Sequence, residues 1–204
     1  MATRGVRIGL RDVHYALLET DNNEVGATYQ EPAALIGAIT ANINPNASTE
    51  TLFADDGPME VASTLGNIEL ELTMADLPLD VQAVLLGHTW DDVAKQLIRK
   101  SEDTPPWLAV GFRALKSNGE YRYVWLLKGK FMVPEEGHET RGETIEFQTP
   151  TITGAFTKRD FDDKYQILGD SDVEDFVSAE WFTTTTLDNI EGTEGEEGEG
   201  EGEG

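Results

Sequence analysis

Three histidines are the first residues in this 204-residue sequence whose chemistry could support catalysis or metal binding. His14, His88 and His138 lie far apart, and the sequence has neither an HExxH motif nor a cysteine to complete a zinc site. The spacing therefore predicts no metal site and no cofactor. His14 alternates with Val13 and Tyr15, so we expect its side chain on the open surface of a strand.

Two clusters of acidic residues are the other candidates for chemistry. They comprise Asp170, Asp172, Glu174 and Asp175, and Asp160, Asp162 and Asp163. The first cluster resembles a calcium-binding loop only loosely, because its sixth position is not glycine and its twelfth is Trp181. Glycoside hydrolysis needs one selected pair of carboxylates, and nothing in the sequence selects a pair. We therefore predict solvated acids, no catalytic residues and no enzyme.

The composition is acidic and contains no cysteine. Fifteen Lys and Arg residues face 39 Asp and Glu residues, giving a formal net charge of −24. Such a charge repels nucleic-acid phosphates, so specific DNA binding is not expected. No apolar run approaches the roughly 18 residues of a membrane helix. The first ten residues carry no apolar signal core, so we expect no export signal and no membrane partner.

The acidic residues are distributed unevenly along the chain. Residues 12–94 contain 15 acids and no Lys or Arg, whereas residues 95–164 contain 12 bases and 11 acids. From residue 188 to the end there are eight acids, six glycines and no base. That composition cannot bury apolar surface. The sequence therefore predicts a folded domain over residues 1–187 and a disordered Gly/Glu tail over 188–204.

Alternation with a period of two dominates the folded part. Residues 68–74 alternate apolar and polar without a fault, which predicts a half-buried strand. Near the start of the chain the alternation changes parity around Arg11 and Asp12, which predicts a β-bulge. Residues 76–87 instead carry a helical apolar face, with Pro78 in the first turn and Gly87 at the end. The pattern indicates a mainly β protein, an antiparallel sandwich or barrel, with one flanking helix.

The pair Asn118-Gly119 is the clearest local turn signal. Between two alternating runs it predicts a two-residue type I′ hairpin. That turn would place Phe112 opposite Trp125 and Val110 opposite Leu127. The second strand should be covered on both faces at its middle.

A connection of 19 residues, 44–62, follows the strand predicted at 35–43. Asp55 and Asp56 lie in a turn signal that continues into Gly57-Pro58, while apolar character persists at Leu52, Phe53 and Met59. A disordered loop would not need those apolar side chains, and loops of this length are usually functional. We therefore predict a long protruding hairpin loop that docks on another surface.

Nine segments between residues 9 and 157 carry a resemblance to a known family. They are GLRDVHYALL (9–18), FADDGP (53–58), LTMADLP (72–78), LGH (86–88), PPWLAVGF (105–112), KSNG (116–119), YRYVWL (121–126), KGKF (128–131) and FQTPTITG (147–154). In this order they resemble the major tail protein, or tail tube subunit, of long, non-contractile-tailed phages. Beyond about Lys164 the resemblance fades.

This resemblance implies a structural virion protein, assembled in the host cytoplasm and located in the phage tail. Hexameric rings of the subunit would stack into a tube through which genome DNA is ejected without specific binding. The implied partners are other copies of the chain, the tape measure protein, the tail terminator and distal tail proteins. Leu52, Phe53, Asp55, Asp56 and Met59 then become candidate ring-stacking residues.

Two further expectations accompany that reading. Glu69 and Glu71, on the outer face of the strand at 68–74, are candidate channel-facing acids, since an acidic wall would keep DNA from sticking. The alternative reading is a carbohydrate-binding β-sandwich module, which would need an exposed aromatic platform. A third class, an acid-dependent glycosidase, would need a cleft with a carboxyl of raised pKa.

Overall fold

The structure is a computed structural model that describes residues 5–54, 57–137, 140 and 147–188, with the backbone alone at 52–54, 58, 59 and 62. Within these residues most of the chain forms strands, and two short helices flank them. The elements are β1 Arg7–Asn22, β2 Gly26–Tyr29, β3 Ala33–Ala34, β4 Ala38–Ala54, β5 Gly57–Met74, α1 Leu79–Leu86, β6 Thr89–Asp91, β7 Gln96–Ile98, β8 Leu108–Lys116, β9 Tyr121–Phe131, β10 Thr151–Thr157, β11 Gln166–Asp170 and α2 Thr184–Asp188. The predicted mainly β class is confirmed.

The strands of the described residues form one nine-stranded antiparallel sheet, and β6 and β7 form a separate hairpin. The main order is β2-β1-β8-β9-β10-β5-β4. The sheet branches at β9, where β11 pairs with residues 122–126 and β10 pairs with residues 128–131 of the same edge. β9 is therefore the central strand, and its two halves pair with different strands along that edge.

Two apolar clusters cover the two faces of this sheet. The first lies beneath α1 and gathers inward side chains of β1, β5, β8, β9 and β10. The second lies on the other face of β9, where Trp125 and Leu127 pack against Trp181 and Leu187 from the C-terminal segment. The prediction that β9 is covered on both faces is confirmed, because Val124 and Leu126 belong to the first cluster.

Alternation places β5 as predicted. Ile68, Leu70, Leu72 and Met74 are at most 1% exposed, while the residues between them face away from the core. The parity change in β1 is also a real bulge: the pairing with β8 shifts register between Arg11 and His14, and Asp12 has a positive φ of 51°.

Helix α1 begins at Leu79, directly after Pro78, and ends at Leu86. Gly87 stops it in the left-handed conformation, with φ 71°. A Cβ at this glycine would lie 2.3 Å from the Thr104 carbonyl oxygen. The sequence did not predict α2, because a run of threonines has weak helix propensity. Its buried Leu187 holds that turn in place through tertiary packing.

The β8–β9 turn is a hairpin at the predicted place but with a different loop. Lys116 pairs with Glu120 through a backbone bond of 2.7 Å, which leaves a three-residue loop in which Gly119 alone takes a positive φ, 87°. The Glu120 N–H donates to the Asn118 side chain. The predicted two-residue register is wrong by one: Phe112 lies opposite Val124, and Gly111 opposite Trp125.

The predicted connection at 44–62 is not a loop. Strands β4 and β5 pair continuously from Ala38 and Met74 out to Ala54 and Gly57, with bulges along the way. Backbone pairing between the two strands holds these polar residues in an extended conformation. The protruding hairpin is therefore a two-stranded ribbon.

Candidate assembly surfaces

The outer part of the β4–β5 hairpin, residues 47–54 and 57–65, is here called the distal hairpin. Among the described residues it pairs only with itself, since β5 joins β10 only at 68–73. Its described side chains are exposed, including Val61 at 63% and Leu65 at 49%. At about 3.4 Å per residue, it extends roughly 30 Å beyond the sheet. An isolated two-stranded ribbon is only marginally stable in water, which makes this element a candidate for binding another surface.

Three of the predicted docking residues lie in this distal hairpin by their backbone. They are Leu52, Phe53 and Met59, and the structure describes no side chain for them. Asp55 and Asp56 lie outside the described residues. Docking through these five residues therefore stays a prediction.

The free edge of β4 is a second candidate surface. In the described structure, β4 pairs with β5 along one edge, and no strand covers its other edge over residues 38–54. Pro45 lies within this strand, as is typical of edge strands. A long uncovered edge offers backbone N–H and C=O groups to a strand of another chain.

The outer face of β5 is polar. Glu69 pairs with Asn44 of β4 and Ala155 of β10, and Glu71 pairs with Asn42 and Thr153. These side chains point away from the first core cluster, so the two candidate channel acids share one open face. That this face lines a channel stays a prediction.

A cleft of about 880 Å³ lies where β9 and β10 meet the start of α1. Its apolar lining is exposed, with Leu79 at 50%, Met132 at 52%, Val133 at 57% and Phe147 at 88%. Asp76 and Glu135 add negative charge to the same cleft, whereas Glu136 forms an ion pair with Arg99. Sequence reasoning missed this surface, because its residues come from three separate segments.

Several acids of the two clusters singled out in the sequence serve as counter-ions. Lys128 is 6% exposed, and its ammonium contacts Asp21 at 2.6 Å and Asp160 at 2.8 Å. The Lys116 ammonium lies 2.8 Å from both Asp170 and Asp172. Ion pairs of this kind fasten the C-terminal segment over the second core cluster. Asp162, Asp170 and Asp172 are therefore structural. The other acids of the two clusters are exposed, as predicted for solvated charges: Asp160, Asp163, Glu174 and Asp175.

Further contacts attach the same C-terminal segment, residues 158–188, to the rest of the domain. Arg159, 1% exposed, donates to Asp162 and, at 2.9 Å, to the Leu187 carbonyl. The Trp125 indole donates to the Trp181 carbonyl at 2.8 Å. The segment from 158 to 188 is thus an integral part of the domain.

These contacts lower the pKa of several carboxyls. Hydrogen bonding to Arg122 is the main cause of the low pKa of Asp170, about 2, with Lys116 adding to it against the cost of burial. For Asp21, burial opposes the charge, but donation from the Asp160 backbone, Lys128 and the Phe161 backbone outweighs it and lowers the pKa. These carboxyls stabilise the fold only while they are ionised.

We expect the protein to lose stability as the pH falls from about 4 toward about 2. The folded pKa of Asp170 is depressed from 3.8 to about 2, so its contribution is complete above its unfolded pKa and disappears as the pH approaches the folded one. Thermal melts at pH 7, 4 and 2 would show this. Asp170→Asn should lower Tm at pH 7 and reduce the fall below pH 4. If the Tm of the variant falls between pH 4 and pH 2 by as much as the Tm of the parent, the result contradicts this assignment.

The described histidines are structural. His88 lies 2.7 Å from the Asp103 carboxylate at the end of α1. His14 stacks on Phe182, with ring centroids 4.3 Å apart, so it is half-buried rather than on the open surface predicted. His138 lies outside the described residues. Within the described part of the chain, no group of three or more His, Asp or Glu residues could hold a metal. No helix described there could cross a membrane.

Comparison with known proteins gives matches among solved structures only. No family model and no curated protein matches the chain. Among solved structures, a chain from the cryo-EM structure of the anti-feeding prophage baseplate, 6-fold symmetrised, is 17% identical, with a TM-score of 0.36. The match covers 83% of this chain and 97% of that chain.

Proposed function

We propose that this chain is a structural subunit of a phage tail tube, which assembles into hexameric rings that stack around a channel for DNA. It performs no catalysis in this role. The observation that carries the proposal is the distal hairpin, an exposed ribbon about 30 Å long that finds no partner within the described chain. The resemblance of nine sequence segments to the major tail protein family supports the same role.

The free edge of β4 provides a route to ring formation. Head-to-tail contacts between different surfaces close into rings when the rotation closes, and rings can then stack. Strand addition at the β4 edge joins neighbouring subunits, while the distal hairpin reaches a neighbouring ring through Leu52, Phe53 and Met59. The polar face with Glu69 and Glu71 then faces the channel, where negative charge keeps DNA mobile.

The remaining parts of the proposal follow from this role. The particle is the virion tail, built in the host cytoplasm, and the other partners are the tape measure, tail terminator and distal tail proteins. The Gly/Glu tail, apart from Asp188, lies outside the described residues, and we place it on the outer surface of the tube.

Negative-stain microscopy of the purified full-length protein tests the proposal. Rings or tubes are expected to appear as protein concentration rises. A protein that stays monomeric by analytical ultracentrifugation at every concentration and salt level, and is missing from purified tails, overturns the proposal.

Salt dependence is a second expected result. The net charge of −24 opposes the approach of identical subunits. Ions screen exposed charges over a Debye length of about 8 Å at physiological ionic strength. Light scattering should therefore show faster assembly as salt is raised from low values. Slower assembly would show that attraction between acidic and basic surfaces outweighs the overall repulsion.

A further inference from the structure

Residues 5–11, which lead into β1 and form its first residues, present an exposed surface. Val6 is 74% exposed and Ile8 is 64% exposed, although both continue the apolar alternation that reaches the core at Leu10. Arg7 and Arg11 are exposed on the same short strand, and neither forms an ion pair with any residue described in the structure. This segment, the N-terminal strand, is thus both apolar and basic.

The cleft beside α1 has the complementary character. Leu79, Met132 and Val133 are at least half exposed in it, and Asp76 and Glu135 place exposed carboxylates on its rim. Its volume of about 880 Å³ falls in the range of ordinary binding clefts. Apolar side chains between carboxylates suit an apolar strand that carries arginines.

The two surfaces lie at opposite ends of the sheet. The N-terminal strand is fixed at the β8–β9 turn. There the Ser117 backbone N–H donates to the Val6 carbonyl, and Arg7 lies opposite Lys116 in the pairing of β1 with β8. The cleft begins where β9 ends, at Phe131 and Met132. Ten residue steps of β9 separate these ends, about 34 Å. The strand therefore cannot reach the cleft of its own chain.

We propose that the N-terminal strand of one copy docks in the α1 cleft of a second copy, Val6 and Ile8 against Leu79 and Met132, and Arg7 beside Glu135. Because the two surfaces differ and lie at opposite ends, the contact is heterologous and propagates head to tail. The contact itself follows from these surfaces; its use in stacking one ring on the next rests on the proposed function.

The absence of cysteine from the sequence makes disulfide trapping a clean test. Ile8→Cys and Met132→Cys are made in separate full-length chains, one of them His-tagged, then mixed and oxidised. A mixed disulfide is expected on a non-reducing gel. The matched control replaces Met132→Cys by Val173→Cys, at a residue 62% exposed in the C-terminal segment. A mixed disulfide no more abundant than in this control overturns the inference.

Charge reversal provides a second readout. Arg7→Glu in the strand-bearing chain should reduce the yield of mixed disulfide about fivefold, the effect of one close exposed ion pair. Glu135→Arg in the cleft-bearing chain should restore much of it. An unchanged yield in Arg7→Glu, or no restoration, contradicts the pairing.

Microscopy of the same samples separates the two proposals. Tubes without the mixed disulfide overturn the docking and leave the tube function standing. The mixed disulfide in a protein that builds no ring or tube under any condition supports the docking and overturns the tube function.

Discussion

Removal of the distal hairpin is expected to abolish tube formation and leave the subunit folded. The change deletes residues 49–63 and joins Ser48 to Thr64 through Asn-Gly, which suits a two-residue turn because these residues are paired in the structure. The removed residues with described side chains are exposed, so Tm should move by no more than about 2 °C. Circular dichroism melts and negative-stain microscopy measure the two effects.

A matched control keeps the hairpin and changes its surface. Ser48 and Thr64 share a side-chain hydrogen bond of 2.8 Å near the base of the distal hairpin, and replacing both with Ala should leave tubes intact. Tubes of normal length from the deletion variant would show that the distal hairpin does not join subunits. A large loss of Tm in that variant would instead place the removed residues in the core of their own subunit.

Local periodicity predicted the elements that depend on neighbouring residues. The alternation at 68–74 describes β5, and the parity change at Arg11 and Asp12 describes the bulge, because the side-chain period of a strand is two. Gly87 ends α1 as predicted, because it restricts the backbone whatever surrounds it. Pro78, predicted in the first turn, lies directly before the helix instead.

Features that depend on distant partners could not be read from the sequence. A two-residue and a three-residue loop both suit Asn118-Gly119, and the choice depends on Glu120 pairing with Lys116. Asp172 resembled a solvated charge because its partner, Lys116, lies 56 residues away. The cleft beside α1 combines three segments and has no local signature.

The ion pairs of the C-terminal segment lead to the second large expected effect: Lys128→Met should lower the free energy of unfolding by about 3–5 kcal/mol. The Lys128 side chain is 8% exposed, and its loss leaves the Asp21 side chain, 6% exposed, without a cation. The methionine fills similar space, so the loss of charge is the dominant change. Urea unfolding should show a lower midpoint with an unchanged m-value, since the area exposed on unfolding stays the same.

Lys158→Met is the matched control, because it makes the same substitution at an exposed ion pair. The side chains of Lys158 and its partner Asp163 are 62% and 73% exposed, so water solvates either charge when the other is removed. The midpoint of Lys158→Met should equal that of the parent protein. If Lys128→Met is equally neutral, Asp21 keeps its charge through the Asp160 and Phe161 backbone N–H groups alone. Lys128 would then make no contribution to the stability of the C-terminal segment.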